Sequence, residues 1–324
     1  MQAGSGILKI LPCAAELFLR LTGESYHGIG GLKMNQIELK ALAKINLGLD
    51  VLGKRENGYH DVRMVMQSVY LYDEVKITRR KEPGIVLSTN LGFLPSGDGN
   101  IAYKAAELLM DEFQIGQGVG IALDKHIPVA AGLAGGSSDA AAVLFGMNRL
   151  FGLKLSQQEL MERGVKLGAD VPYCIMRGTV LAEGIGEKLT VLPPMPKCTV
   201  LIAKPPVSVS TKTVYEALDA QEITVHPDID GIIAGLEKGD VRAVASSMGN
   251  VLEGVTIPMH PVIAEIKKEM TDAGALGAMM SGSGPTVFGL FDNRAAAKAA
   301  QRRIREKALT KQVYVTNIHS VRRK

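Results

Sequence analysis

Pro128-Val129-Ala130-Ala131-Gly132-Leu133-Ala134-Gly135-Gly136-Ser137-Ser138 is the stretch on which the reading of this 324-residue chain turns. Small residues let backbone N–H groups come close to an anion. The apolar residues that follow, Val143, Leu144, Met147, Leu150 and Phe151, recur at helical spacing up to Gly152. A helix N-terminus at the end of such a loop adds a partial positive charge and unpaired donors, a combination suited to phosphate. Ser137 and Ser138 are placed to cap that helix, and either hydroxyl could also meet a phosphate or its magnesium. An ordinary turn with a serine cap needs less than eleven residues carrying three glycines and two serines. No GKS or GKT follows the glycines, and no acidic residue stands where a dinucleotide-binding loop keeps its ribose ligand, so neither common nucleotide loop applies.

Upstream, Ile37, Leu39 and Ala41 alternate as in a half-buried strand, and Leu47, Leu49 and Val51 continue the pattern. Asn57-Gly58 marks a turn before a stretch from Val62 to Val69, and shorter strands are expected at 75–77, 85–87 and 119–123. Asn100 caps a helix carrying Ile101, Ala105, Leu108 and Leu109, and Ser156 with Glu159 forms a capping box. Downstream of the proline-rich run 192–196 the pattern predicts a strand at 199–203 and helices near 214–218, 229–236 and 262–273. A glycine-rich hairpin at 277–291, a helix over 294–308 and a strand at 313–321 follow. Strands and helices mix without regular βαβ alternation, which predicts an α+β protein. Two domains are expected, 34–192 and 193–324, with residues 1–33 an appendage outside the folded unit.

Composition narrows the function. Net charge is +4, and the terminal Arg322-Arg323-Lys324 lacks interleaved aromatics, so nucleic-acid binding is not expected. No apolar run approaches the ~18 residues of a membrane span. Cys13, Cys174 and Cys198 show no CxxC spacing, which points to a reducing, cytoplasmic setting rather than a disulfide framework. No histidine pair has metal-ligand spacing, and no obligate protein partner is evident.

The glycine-rich loop resembles the second motif of the GHMP kinase superfamily. Ala43-Lys44-Ile45-Asn46-Leu47-Gly48-Leu49 resembles the first, and Met280-Ser281-Gly282-Ser283-Gly284-Pro285-Thr286-Val287-Phe288 the third. The segment Asn57–His60 and Gly168-Ala169-Asp170-Val171-Pro172 are similar to the branch that phosphorylates a cytidine diphosphate derivative of methylerythritol at its 2-hydroxyl. The resemblance runs from Met34 to the C-terminus. It implies a ribosomal S5 domain 2-like N-terminal domain, a ferredoxin-like C-terminal domain, ATP as co-substrate with Mg2+, and a small-molecule acceptor.

The resemblance also assigns roles. Asp170 would accept the hydroxyl proton, with Lys44 beside it polarising that hydroxyl. Pro128, Val129, Ala130, Ala131, Gly132, Leu133, Ala134, Gly135, Gly136, Ser137 and Ser138, with Ser281, Gly282, Ser283 and Gly284, would hold ATP. Tyr59 and His60 would hold cytosine, with Asn46 nearby. No metal ligand can be assigned beyond the suggestion of Ser138. Val171-Pro172 is expected to keep the chain after Asp170 out of helix. Ala130, Ala131 and Ala134 replace glycines common among relatives, and their Cβ atoms predict right-handed or extended backbone. Rival readings are a GHMP kinase for another acceptor, or a catalytically silent nucleotide-binding regulator on the same fold.

Overall fold

The computed structural model describes residues 34–321, so the expectations about residues 1–33 and Cys13, and about the three terminal basic residues, lie outside the described residues. The alternating segment at the start becomes one long hairpin, β1 (Gln36–Lys54) and β2 (His60–Arg80). Its turn is closed by Arg55 N–H donating to Tyr59 O at 2.7 Å, and Gly58 takes φ +85°, where a glycine has no Cβ penalty. There follow β3 (Ile85–Thr89), α1 (Ile101–Glu112), β4 (Gly118–Asp124), α2 (Gly135–Phe151), α3 (Gln157–Val165), α4 (Val171–Met176), β5 (Thr179–Gly184) and β6 (Lys188–Val191). The caps expected at Asn100 and Ser156 are both present.

The rest of the chain forms β7 (Thr199–Lys204), α5 (Thr211–Asp219), α6 (Ile229–Glu237), α7 (Val241–Ser247), β8 (Gly249–Asn250), α8 (Glu253–Met259), α9 (Val262–Asp272), β9 (Gly277–Met280), β10 (Val287–Phe291), α10 (Arg294–Glu306) and β11 (Gln312–Asn317). Strands β7, β9, β10 and β11 make an antiparallel sheet in the order β11-β7-β10-β9. With helices between β7 and β9 and between β10 and β11, this is the ferredoxin-like arrangement. The first sheet runs β3-β4-β2-β1-β8, with β5 pairing β2 and β6 pairing β5. The short β8 pairs in parallel with β1 at Gly48 and Leu49, so a segment from beyond residue 193 completes the first sheet.

Register shifts in β1 decide what the site looks like. The β1–β2 pairing slips between Leu42 and Lys44 and again between Asn46 and Gly48. Each slip reverses the two-residue alternation of faces. Ile37, Leu39, Ala41, Leu49 and Val51 therefore belong to the core under α2, whereas Ala43, Ile45 and Leu47 enter a second core beneath the C-terminal sheet. The sequence pattern grouped Leu47 with Leu49, and the bulge separates them. Between the slips, Lys44 and Asn46 turn to the side that Leu39 and Ala41 occupy, away from solvent. Helix α2 lies against this side with 12 of its 17 residues buried, which makes it a central rather than an amphipathic helix. A Cβ on Gly146 would sit 2.4 Å from the Ile77 side chain, which shows how closely α2 meets the sheet.

Where the C-terminal strand returns to β2, His319 is buried with neither ring nitrogen hydrogen-bonded among the described residues. Its ring meets Tyr70 edge-on at 4.8 Å, and the buried guanidinium of Arg177 lies close enough to oppose its protonation. Burial first, and Arg177 second, lower its pKa to about 4. The unfolded chain, with an ordinary imidazole, then binds more protons than the fold between pH ~6.5 and ~4. This contribution is present above pH ~6.5 and is lost as the pH falls, by on the order of 3 kcal/mol. Urea unfolding across that range should show His319→Phe with a shallower loss than the parent chain. Equal slopes would mean that the imidazole is not held neutral.

Candidate active site

A cleft of about 890 Å3 opens between the loop preceding α2, the start of β2, the N-terminus of α4 and the exposed face of α5. Every residue from Pro128 to Ser137 lines it. The loop ends differently from the expectation that a serine caps the helix. Ala134 is the N-cap residue and has left-handed backbone (φ 54°, ψ 32°), with no side chain capping the helix. Ser137 and Ser138 lie inside the first turn, so the leading N–H groups of α2 face the cleft without a side-chain acceptor, as an anion site requires. Ser138 is buried, and its hydroxyl donates to the Leu42 carbonyl at 2.8 Å. Its side chain does not line the cleft, whereas that of Ser137 does.

Ala130 and Ala134 also correct the expectation about backbone. Both have positive φ, 50° and 54°, in the left-handed region that alanine rarely enters, while Ala131 does not. Surrounding bonds hold the loop there. Leu133 O accepts from Lys44 N at 3.1 Å, and Gly132 O accepts from the Ser281 hydroxyl at 2.9 Å. The glycine-rich hairpin is thus pinned to the loop. Gly282 and Ser283 line the cleft, whereas Ser281 and Gly284 are buried and do not. Ser281 N donates to Thr286 O and Gly284 N to Ser281 O. Asn250 of β8 adds a second pin, donating through Nδ2 to Met280 O at 2.9 Å and Gly282 O at 2.8 Å.

The loop is also clamped at its base. Lys125 Nζ bonds both Asp73 on β2 and Asp139 on α2, and Asp73 Oδ1 accepts from Ile127 N at 2.8 Å as well as from His126 N. All three charged side chains are buried. Burial alone would depress Lys125, but the charges of Asp139 and Asp73 outweigh it and raise its pKa. Burial drives the Asp139 carboxyl well above the usual carboxylate range. Its Oδ1 is buried without a hydrogen bond, and Asp139 borders the cleft.

Lys44 and Asp170 come together as expected, with Nζ and Oδ2 4.0 Å apart. Lys44 is 5% exposed, while the Asp170 side chain is 35% exposed and reaches into the cleft. The chain after Asp170 does become helical. Pro172 sits in the first turn of α4, where a missing N–H costs nothing, and Asp170 is its N-cap residue with no side-chain cap bond. Its carboxylate is therefore unclaimed by the helix. Asn46 is fully buried behind Lys44, accepts from its Nζ at 2.7 Å and does not line the cleft. It is placed to orient the lysine.

Tyr59 is exposed at the cleft rim, and His60 is largely covered by α5. The His60 ring lies 4.7 Å from that of Tyr215 with a 39° tilt, and its Nε2 is 2.6 Å from Asp219. Lys54 donates to the other Asp219 oxygen at 2.7 Å. Tyr215, Asp219, Lys125, Asp73 and Asn250 were not singled out from sequence. Thr211, Tyr215 and Asp219 do stand four residues apart along α5, beside the buried stripe of Val214 and Leu218, and Lys125 and Asp139 bracket an uncharged run. Those two patterns were the available signals.

Comparison with known proteins places the chain. Residues 100–178 match the GHMP kinases N terminal domain and residues 232–309 the GHMP kinases C terminal domain. A 4-diphosphocytidyl-2-C-methyl-D-erythritol kinase of Lachnospira eligens is 61% identical over 283 residues, 87% of this chain and 98% of that protein. The chain belongs to this family of GHMP kinases. A kinase with the same printed name from Lachnoclostridium phytofermentans is 58% identical over 87% of this chain and 97% of its own length. The crystal structure of a 4-(cytidine 5'-diphospho)-2C-methyl-D-erythritol kinase superposes with a TM-score of 0.74 at 32% identity, covering 88% of this chain and all of that one. A homoserine kinase from Cytophaga hutchinsonii gives the same TM-score at 24% identity, so this GHMP kinase shares its fold with enzymes for other acceptors.

Proposed function

We propose that the chain transfers the γ-phosphoryl group of ATP to the 2-hydroxyl of 4-diphosphocytidyl-2-C-methyl-D-erythritol, a step of the non-mevalonate route to isoprenoids, in the cytoplasm. The observation that carries the reading is the meeting of three features in one cleft: an uncapped helix N-terminus, a lysine–aspartate pair, and a histidine–tyrosine platform. The relatives named above support the choice of acceptor.

In this reading the α2 N-terminus and the loop backbone from Ala130 to Ser137 hold the ATP phosphates, with Gly282 and Ser283 closing over them. The acceptor hydroxyl lies between Lys44 and Asp170. Asp170 takes its proton as the oxygen attacks, and Lys44 stabilises the charge spreading over the transferred group. Mg2+ would partly neutralise the phosphates. The donors that fit it are the unpartnered Oδ1 of Asp139 and the hydroxyl of Ser137, because a Mg2+ brought with nucleotide needs only one or two protein oxygens. Tyr59, His60 and Tyr215 take the cytosine.

A coupled ADP-release assay over a panel of alcohols tests the assignment. Methylerythritol 4-phosphate and mevalonate should be used at least ~10²-fold less efficiently in kcat/KM, because the base subsite is left with unpaired polar groups and no stacked ring. His60→Ala should raise KM for the cytidine substrate and leave KM for ATP nearly unchanged. Better turnover of mevalonate or homoserine, or a silent His60→Ala, would sink the acceptor assignment.

A further inference from the structure

Helix α5 does more than cover the cleft. Its residues Thr211, Tyr215 and Asp219 all face the cleft. The Thr211 hydroxyl shares a 2.8 Å hydrogen bond with that of Ser283 on the glycine-rich hairpin, and Tyr215 lies against His60. Asp219 then binds both Lys54 and His60, and these two bonds hold its carboxyl below the usual carboxylate range. An ionised carboxylate only accepts. At 2.6 Å from Asp219 Oδ1, the Nε2 of His60 must therefore carry the hydrogen. In the neutral ring this leaves Nδ1 as an acceptor, and Nδ1 makes no hydrogen bond among the described residues. His60 lines the cleft and this nitrogen keeps access to it, so a base bound there can reach Nδ1.

An acceptor presented to a pyrimidine edge separates two bases. Cytosine offers a 4-amino donor, whereas the 4-oxo group of uracil is itself an acceptor. Two facing acceptors with water excluded leave both unpaired. We propose that Asp219 is a positioning residue that fixes the Nε2–H tautomer of His60, so that Nδ1 accepts from the cytosine amino group and the kinase rejects the uridine analogue. The inference rests on the reading that His60 meets the base.

The test compares the cytidine substrate with the same alcohol carried on uridine diphosphate. The parent enzyme should favour the cytidine compound by about 10- to 100-fold in kcat/KM, the worth of one such mismatch. Asp219→Ala should raise KM for the cytidine substrate about tenfold or more, leave kcat within about twofold, and bring the preference towards unity. Asp219→Asn, whose side-chain carbonyl still accepts from Nε2–H, should keep most of the preference. Nitrogen-15 NMR of histidine-labelled protein should show the Nε2–H tautomer for His60 in the parent and Asp219→Asn proteins, and a mixture in Asp219→Ala. An unchanged preference in Asp219→Ala, alongside a lost preference in His60→Ala, overturns the role of Asp219 while the base subsite stands. A silent His60→Ala removes the subsite itself, and this inference with it.

Discussion

Asp170→Asn should lower kcat by on the order of 10²–10⁴, the usual worth of a positioned general base, with KM for ATP and the melting temperature close to those of the parent. The substitution keeps the shape of the side chain and removes its ability to take a proton at the moment of attack. Little structure depends on the carboxylate. It makes no cap bond to α4, and the contact with Lys44 is a 4.0 Å approach rather than a short hydrogen bond. Lys44 has a second partner in Asn46, so it stays oriented in the variant. The loss should therefore fall on the chemical step and not on binding. A purified Asp170→Asn protein retaining more than about a third of parental kcat would exclude Asp170 as the base.

Gly132→Ala should be the most damaging small substitution in the cleft. At φ +71° a Cβ is strained, and here it would lie 2.1 Å from the Ser281 carbonyl oxygen and 3.3 Å from that of Gly284. Both obstacles are backbone, so no side chain can rotate away. The two loops are also fastened together by the Ser281–Gly132 bond, and the hairpin is tied to β8 by Asn250, so separating them breaks hydrogen bonds. A loss of about 3 kcal/mol or more is expected. Any protein that still folds should show at least a tenfold higher KM for ATP, because the displaced hairpin no longer closes on the phosphates. Ala134→Gly is the informative contrast. It removes a left-handed alanine at the helix start, and strain relief against added unfolded-state entropy should leave stability unchanged or higher by up to ~1 kcal/mol. Urea titration of both variants checks the pair, and a Gly132→Ala protein as stable as Ala134→Gly would contradict the close approach of the loops.

The parts of the fold that follow from local pattern were legible in the sequence. The caps at Asn100 and Ser156, the turn at Gly58 and the strands and helices of the C-terminal sheet are set by short-range chemistry. What the pattern hid came from contacts distant in sequence. The β1 register shifts that turn Lys44 inward depend on pairing with β2, and β8 is two residues long, too short to leave any periodicity. Val171-Pro172 looked like a helix breaker, yet proline in a first turn starts a helix as readily as it prevents one. The alanines at 130 and 134 are held in left-handed backbone by the loop's anchors, which outweigh an intrinsic preference of about 1–2 kcal/mol. In the site, residues within motifs were found and their supports were not. Asp73 and Asp219 lie 52 and 159 residues from the Lys125 and His60 side chains they hold, so no spacing rule joins them.

In the reading proposed above, this cleft moves a phosphoryl group from ATP to one hydroxyl of a cytidine-bearing alcohol. Phosphorus-31 NMR of the purified protein with ATP and 4-diphosphocytidyl-2-C-methyl-D-erythritol reads it directly. The expected spectrum shows one new phosphomonoester, unsplit by protons because the 2-carbon bears no hydrogen, and equal in amount to the ADP formed, with the diphosphate bridge intact. ADP formed without that ester, or an ester formed faster on mevalonate or homoserine, would contradict it.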